Sequence, residues 1–341
     1  STWTGAALDG LWSTPGNWDA LPDASNVLAV TLPAAASAIY DLPSTTFLQN
    51  LTSAGSLAIA VGKINIAGNL NTAGYNHTGG VLEGAGSLVV NNSFAQTGGS
   101  INLGGPVTVN QAAGNLVVGA ITASSIDLTA NAGTIGQNAA LVTAGLLTAH
   151  SQSGVSLTNA GNQFSAFHGG ATSAGNIDLV NTVALDLQDA NVANGNITIV
   201  SNGGVSTSGL VAANGGTLSL TSNSPLTIGG SGVTANGNIL LAATNLTSAG
   251  NMVLNGNVSS STGAVTLNAA GTLTQNGAVN GPTGISATSG GATTFGPTAT
   301  VSGTPVTYVA AGTPVTPPSP PAPATPPPPP VVPPAPAPAP T

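Results

Sequence analysis

The sequence contains no cysteine and no arginine, and Lys63 is its only basic residue. Without cysteine, disulfide bonds, thiolate metal sites and cysteine nucleophiles are all excluded. Only 3% of the residues are charged, against about 25% in an average globular domain. Nucleic acids and anionic lipid surfaces bind proteins through clustered Lys and Arg side chains. We therefore expect the chain to bind neither nucleic acid nor an anionic membrane.

Long apolar runs are missing as well. No segment approaches the ~18 consecutive apolar residues of a membrane-spanning helix. The positive mean hydropathy of +0.32 therefore reflects Ala, Val, Leu and Ile dispersed among Gly, Asn, Ser and Thr. The sequence starts at Ser1 without a basic and apolar leader. We interpret the chain as a secreted product from which a signal peptide has been removed.

Short triplets of the form apolar-x-apolar follow Gly or Gly-Asn along most of the chain. Between residues 154 and 267 they read GVSL, GNIDL, GNITI, GGTLSL, GNILL, GNMVL and GAVTL. Alternation within a triplet has the period of a β-strand, and the 47 glycines disfavour helices. The first four intervals between triplets are 22, 20, 21 and 21 residues. The first apolar residues of the seven triplets are Val155, Ile177, Ile197, Leu218, Ile239, Met252 and Val265.

A repeat of 20–22 residues built from short strands and turns is typical of a parallel β-solenoid, in which each repeat forms one coil. At ~21 residues per coil, residues 44–310 have room for roughly a dozen coils and a rod of about 60 Å. The recurring Gly-Asn predicts left-handed corners, with asparagines of successive coils stacked in a hydrogen-bonded ladder. The candidates for this ladder are Asn176, Asn196, Asn238 and Asn251.

Residues 1–43 interrupt this rhythm and contain all three tryptophans, Trp3, Trp12 and Trp18. The first coil of a solenoid has unpaired backbone groups at its edge, which invite pairing with another chain unless a cap covers them. We predict that residues 1–43 form this cap and that the indoles plug the apolar mouth of the first coil. The alternative is an aromatic platform that binds carbohydrate.

Residues 311–341 form a third region, in which positions 313–341 hold 16 of the 25 prolines and no charged residue. Proline at this density favours polyproline II, which rises ~3.1 Å per residue and would extend residues 314–341 to roughly 85 Å. We predict that the tail docks in an apolar groove of a neighbouring subunit; the alternative is a disordered spacer. The predicted interaction residues at this end are Tyr308, Pro326, Pro327, Pro328, Pro329 and Pro330.

The run AGNIDLV, NGNITIV, GGTLSLT, NGNILLA and TGAVTLNAAGTLTQNGAV resembles the repeats of filamentous haemagglutinin-type proteins. The opening GLWSTPGNWDALPDASNVLAVTLP, with TTFLQNLTSAGSLAIAVGKINIAGNL, resembles the first coils of bacterial surface and autotransporter-like passengers. This resemblance covers most of residues 10–295. It implies an all-β, right-handed parallel β-helix, secreted and displayed on a bacterial cell surface.

Catalytic and metal-binding patterns are weak in this sequence. Asp178, Asp186 and Asp189 are the densest acids, and outward-pointing carboxylates about 5–10 Å apart could hydrolyse glycosides. The other interpretation is that they are solvated surface acids. His77, His150 and His168 are too far apart for a compact metal motif, and we interpret them as turn or surface residues. We expect no enzyme, no cofactor and no metal site.

The physical properties of the chain then indicate its function. A nearly uncharged rod, whose last coils run into the tail without an evident polar cap, permits close contact between copies. Our leading hypothesis is a self-assembling extracellular structural protein, a subunit of a filament or biofilm-matrix fibre built from head-to-tail rods. The expected partner is the chain itself, and cell-surface or matrix polysaccharide is a second possibility. The alternatives are a surface adhesin or stalk with the tail as spacer, and a polysaccharide-active enzyme.

Overall fold

The computed structural model describes residues 1–22, 29–246 and 250–318. Within these residues the chain is all-β and forms a parallel β-solenoid of about 14 coils, which confirms the predicted fold class. At ~4.8 Å per coil the rod is roughly 67 Å long. The predicted interaction residues Pro326–Pro330 lie outside the described residues.

The regular secondary structure of the described residues consists of one short helix and 36 strands. The helix is a single 3₁₀ turn at Pro15–Asn17. The strands of the N-terminal half are β1 Ala29–Leu32, β2 Ser37–Tyr40, β3 Thr45–Leu48, β4 Asn50–Ile59, β5 Lys63–Ile66, β6 Asn69–His77, β7 Val81–Gly84, β8 Ser87–Gln96, β9 Ser100–Leu103, β10 Val107–Gln111, β11 Leu116–Val118, β12 Ala120–Thr122, β13 Ile126–Ala130, β14 Ile135–Gln137, β15 Leu141–Ser151, β16 Val155–Leu157, β17 Gln163–Ala171, β18 Ile177–Asn181 and β19 Leu185–Val192. Those of the C-terminal half are β20 Ile197–Ser201, β21 Val205–Thr207, β22 Val211–Ala213, β23 Leu218–Ser222, β24 Leu226–Ile228, β25 Val233–Ala235, β26 Ile239–Ala243, β27 Met252–Leu254, β28 Val258–Ser260, β29 Val265–Ala269, β30 Leu273–Gln275, β31 Ala278–Gly281, β32 Ile285–Ser289, β33 Thr293–Phe295, β34 Thr300–Gly303, β35 Val306–Ala310 and β36 Thr313–Pro314.

Each coil of the C-terminal half has three strands, one on each face of the rod. β20, β21 and β22 form one coil and pair in parallel with β23, β24 and β25 of the next. The first strand of each coil belongs to an 11-stranded sheet, and the other two belong to a 25-stranded sheet that also contains most strands of the N-terminal half. Alternate side chains point inward and are buried, for example Ile197, Leu218 and Ile239 in successive coils. The core is therefore a continuous apolar column along the rod.

The predicted repeat is present on the 11-stranded sheet, where six of the seven predicted triplet residues follow one another in register. Met252 is the exception, because it begins β27 and pairs with Leu226 and Leu273 on the 25-stranded sheet. The successor of Ile239 in the 11-stranded sheet is Val265. One coil is thus longer than the others, and its extra residues precede Met252.

The predicted asparagines do connect successive coils, but through the backbone and not through amide stacking. The Asn176 Oδ1 accepts a hydrogen bond from the Asn196 N–H at 2.9 Å, and the Asn196 Oδ1 accepts one from the Thr217 N–H at 2.8 Å. Asn238 and Asn251 accept from the next coil in the same way. These corners leave backbone N–H groups without a strand partner, and the amide oxygen supplies the missing acceptor.

The N-terminal half is less regular. Its long strands β4, β6, β15 and β17 each turn a corner of the rod, and their pairings contain register shifts, for example between Ser53 and Ser56 and between Thr143 and Leu146. A shift of this kind inserts an extra residue and bends the strand. Two faces of the rod can therefore be built from one continuous strand in this half.

The chain folds back on itself at the C-terminal end of the rod. β35 and β36 pair antiparallel across a turn at Ala311 and Gly312, whose φ angles are +45° and +77°. Further on, the Val301 N–H of β34 donates to the Pro318 carbonyl at 3.2 Å. Residues 313–318 thus cover the last strands on two faces of the rod. The sequence predicts no evident polar cap at this end, and the segment that covers it is Pro-rich.

Candidate functional site

The three tryptophans form a buried cluster over the first coil. Trp12 is completely buried, and Trp3 and Trp18 are only 5% and 6% exposed. The ring of Trp18 lies 4.9 Å from Trp3 and 4.6 Å from Trp12, both edge to face, and Trp12 also contacts Tyr40 at 5.5 Å. This arrangement is the predicted plug. A carbohydrate platform needs an open ring face, which these indoles do not present.

The backbone at residues 2–3 and 11–12 continues the solenoid by one further layer beyond β1 and β2. The Trp3 N–H donates to the Thr31 carbonyl of β1 at 2.9 Å, and the Trp12 N–H donates to the Ile39 carbonyl of β2 at 2.8 Å. Parallel bridges join Thr2 to Thr31 and Leu11 to Ile39. The first edges of β1 and β2 are therefore covered, as a solenoid end requires.

Asp9 organises the loop between the two capping segments. Its carboxylate accepts hydrogen bonds from the Thr14 hydroxyl at 2.7 Å, the Leu11 N–H at 3.0 Å and the Asn17 amide at 2.6 Å. The bond from Thr14 is the largest cause of a lowered pKa at Asp9, followed by the bond from Leu11. Because these donors satisfy the carboxylate, Asp9 has no need of an external cation.

A groove of about 480 Å³ lies between this loop and the segment that joins β1 to β2. Trp3, Leu8, Pro33 and Ile39 contribute its apolar lining, and Ser37 contributes a hydroxyl group. Leu8 has a φ angle of +63°, a left-handed conformation that a residue of this size rarely adopts. Its side chain is 92% exposed. The groove is the strongest candidate for a binding site in the described chain.

The three densest aspartates, interpreted as solvated surface acids with a catalytic pair as the alternative, lie on two strands of different sheets. Asp178 is in β18 of the 11-stranded sheet, while Asp186 and Asp189 are in β19 of the other sheet. Asp186 accepts hydrogen bonds from the hydroxyls of Ser206 at 3.1 Å and Ser208 at 2.7 Å. Asp189 accepts from the Asn191 amide. Neighbouring polar side chains thus solvate Asp186 and Asp189 individually.

His77 is a core residue and not the predicted turn or surface residue. It is fully buried, and its Nδ1 lies 2.9 Å from the Tyr75 hydroxyl while its Nε2 lies 3.3 Å from the Gly80 carbonyl. Burial lowers the pKa of His77 and raises that of Tyr75 well above its usual value. Both shifts fit a neutral imidazole that accepts from the Tyr75 O–H and donates to Gly80.

The coil stacking brings together two histidines that are distant in sequence. The rings of His150 and His168 lie 5.3 Å apart, edge to face, and His168 pairs with Asp189 in the next coil. Sequence reasoning missed this neighbourhood, although a separation of 18 residues is close to one coil. The residues that the structure describes contain no group of three or more His, Asp or Glu that could hold a metal ion.

Tyr308 plugs the C-terminal mouth of the rod. It is 2% exposed, its ring lies 5.5 Å from that of Phe295, and its hydroxyl donates to Gln275 Oε1 at 2.8 Å. Burial raises the pKa of Tyr308. Its described contacts are with the last coils, and its predicted contact with a neighbouring subunit stays a prediction.

Across the described ranges, no helix has the length and apolarity that crossing a membrane requires. No protein-family profile, no curated protein and no solved structure matches the chain. The site must therefore be interpreted from its own geometry.

Proposed function

We propose that the chain is an extracellular structural protein whose rods associate with one another to form a filament or a matrix fibre. The observation that carries this proposal is an uncharged face on the 11-stranded sheet, which we call the neutral face. Two outward rows of residues run along it through six coils without a charged side chain. The rows are Thr198, Ser219, Leu240, Thr266, Ser286 and Thr307, and Val200, Thr221, Ala242, Asn268, Thr288 and Val309, of which Ala242 alone is buried.

Electrostatics offer little resistance to contact between such faces. Lys63 and Glu83, at 3.4 Å, form the only ion pair among the described residues. A monomeric protein usually avoids association by distributing charges over its surface and by keeping extended neutral patches small. Stacked sheets approach to about 10 Å when the side chains between them are of moderate size, as the Ser, Thr and Val of the neutral face are.

The two ends of the rod affect how copies would be ordered. Capping segments cover the first strands β1 and β2 and the last strands β34 and β35. Continuous strand pairing from one rod into the next is therefore disfavoured on these faces. Head-to-tail order in the proposed filament depends instead on the Pro-rich residues 319–341, acting as a linker between rods.

The extracellular and bacterial part of the proposal is supported by the sequence resemblance to filamentous haemagglutinin-type repeats. Those proteins are secreted β-helices of bacterial surfaces, and this chain has the same strand and turn pattern in a parallel solenoid. The proposal includes no catalytic step, because Asp178, Asp186 and Asp189 do not lie on one strand face.

The experiment that tests the proposal measures association directly. Light scattering and electron microscopy over a range of protein concentrations should reveal oligomers and fibres that persist at high salt, since few charges are involved. The double variant Ser219→Lys with Ser286→Lys puts two like charges on the neutral face and should weaken association most at low salt.

The matched control places the same two charges on the other sheet, at the exposed residues Asn102 and Gln188. The variant Asn102→Lys with Gln188→Lys should associate like the unmodified protein. A protein that stays monomeric at every concentration would refute the proposed function. Equal weakening by both double variants would show that net charge, and not the neutral face, controls association.

A further inference from the structure

We propose that the groove of the N-terminal cap binds the proline run 326–330 of a second copy of this chain. This inference rests on the proposed function, because it names the contact that would order rods head to tail. The site is the groove between the Asp9 loop and the β1–β2 connection, lined by Trp3, Leu8, Pro33, Ser37 and Ile39. The ligand is a run of five prolines with no charge, a composition that favours polyproline II.

The conformation of Leu8 is the first observation that points to a ligand. A left-handed φ of +63° is unfavourable for leucine. Strained residues of this kind persist only where the surrounding structure fixes them, and they cluster at functional sites. Packing within this chain does not explain the conformation of Leu8, because the residue is 92% exposed. An apolar side chain held away from the protein at the edge of a groove is well placed to contact a partner.

The polar groups of the groove fit a proline-rich ligand. Proline has a backbone carbonyl but no N–H, so a polyproline segment offers only acceptors and needs donors from its partner. Trp3 and Ser37, whose side chains carry an N–H and an O–H donor, are among the residues that line the groove. Asp9, the carboxylate in the lining, is already satisfied by Thr14, Leu11 and Asn17. The groove therefore requires no positive charge, and the tail carries none.

The position of the tail favours a second copy over the same copy. The described chain ends at Pro318, which is bonded to Val301 of β34 at the C-terminal end of the rod. The groove lies at the opposite end, roughly 67 Å away for about 14 coils. Residues 319–330 extend only about 37 Å as polyproline II, so the run 326–330 falls short of its own groove. The groove of the next rod in a head-to-tail row is within its reach.

The test uses the full-length protein and a fluorescent peptide with the sequence of residues 319–341. Peptide binding is measured by fluorescence anisotropy at protein concentrations below those at which copies associate. Leu8→Ala should weaken peptide binding by about tenfold or more, as expected when an apolar side chain that packs against the ligand is truncated. Ser37→Ala, which removes one donor, should weaken it by a smaller factor.

Two controls make the test specific. Leu246→Ala removes another leucine that is 88% exposed, and it should leave peptide binding within twofold of the unmodified protein, a change of about 0.4 kcal/mol. A peptide with alanine at positions 326–330 should bind much more weakly than the natural sequence. Equal binding of the two peptides, or no effect of Leu8→Ala, would overturn the assignment of this groove.

The outcomes also separate this inference from the proposed function. Peptide binding that depends on Leu8, in a protein that never forms oligomers, would support the groove and refute the filament. Fibres that form equally well with Leu8→Ala would support the filament and refute the groove. In a third outcome, the peptide fails to bind at every protein concentration, and deletion of the tail restores binding. This result would show that the tail occupies its own groove, and it would overturn binding between copies.

Discussion

The two halves of the rod bury their interiors in different ways. The N-terminal half packs aromatic side chains, including the Trp3–Trp12–Trp18 plug and the stacked pair Tyr75 and Phe94, and it encloses polar His77. From β20 to β32 the inward rows contain no aromatic residue; they are aliphatic with a few buried polar residues such as Ser201, Ser222 and Gln275, and they keep their register from coil to coil. Aromatic residues return only at the C-terminal mouth, with Phe295 and Tyr308. Regular coils need small, similar side chains, whereas irregular coils and ends need large ones that fill uneven space.

The largest expected effect is the loss of the N-terminal plug. Trp12→Ala should reduce the free energy of unfolding by about 3–5 kcal/mol, because it leaves a cavity among Trp3, Trp18 and Tyr40. Leu241→Ala, at a fully buried aliphatic position of the C-terminal half, should cost about 2–4 kcal/mol. Urea denaturation followed by circular dichroism measures both.

The comparison of these two variants tests the difference between the halves. Leu246→Ala, at an exposed leucine, is the control and should change the free energy of unfolding by less than about 0.5 kcal/mol. If Trp12→Ala were as mild as this control, the indole cluster would not be part of the stabilising core.

Much of this architecture could be predicted from the sequence, because strand alternation and a 21-residue period are local signals. The period did not distinguish the faces of the rod, so Met252 was placed in the same series as Ile239 although it starts a strand on another sheet. The wide spacing of the histidines indicates only that they form no compact metal motif, whereas the alternation of His77 with Tyr75 in β6 places it inside. The groove depends on a left-handed Leu8, which no local pattern predicts.

A second prediction concerns the covered C-terminal edge. Truncation after Gly312 removes β36 and the bonds that Val315 and Pro318 make to Tyr308 and Val301. We expect a loss of about 1–3 kcal/mol, since each lost backbone bond contributes roughly 1 kcal/mol and the exposed edge favours aggregation. Truncation after Pro318 retains all these contacts and should leave the thermal midpoint unchanged.

The comparison of these two truncations distinguishes the stabilising contribution of residues 313–318, which cover the edge, from that of the remaining Pro-rich residues. Thermal unfolding and the amount of aggregate after heating are the measurements. Equal midpoints for the two truncated proteins would mean that residues 313–318 do not stabilise the last coil.

A third prediction uses the buried histidine of the N-terminal half. Burial lowers the pKa of His77 in the folded state below its usual value of 6.5, so the unfolded chain binds more protons than the folded chain just below that pH. The contribution of neutral His77 is fully present above about pH 6.5 and is lost as the pH falls from there towards the folded-state pKa. In His77→Gln, the free energy of unfolding should therefore decrease less between pH 7 and pH 5 than in the unmodified protein.

Asn76→Gln, at an exposed residue next to His77 that has no titrating group, provides the control for this pH dependence and should retain the slope of the unmodified protein. The measurement is the urea midpoint at several pH values. A slope that is the same in His77→Gln and in the unmodified protein would contradict a neutral, buried His77.

The smallest expected effect is at the asparagine corners, which both halves share. Asn196 accepts hydrogen bonds from the Thr217 N–H at 2.8 Å and its hydroxyl at 3.0 Å, and Asn115 of the N-terminal half accepts from the Thr134 N–H at 3.1 Å. Asn196→Ala should cost about 0.5–1.5 kcal/mol, and Asn115→Ala should cost a similar amount. Asn196→Asp keeps a side-chain acceptor and should cost less than Asn196→Ala. If the alanine variants differed strongly between the halves, the corner bond would depend on the regular coils; similar costs would identify it as the element that holds regular and irregular coils in one stack.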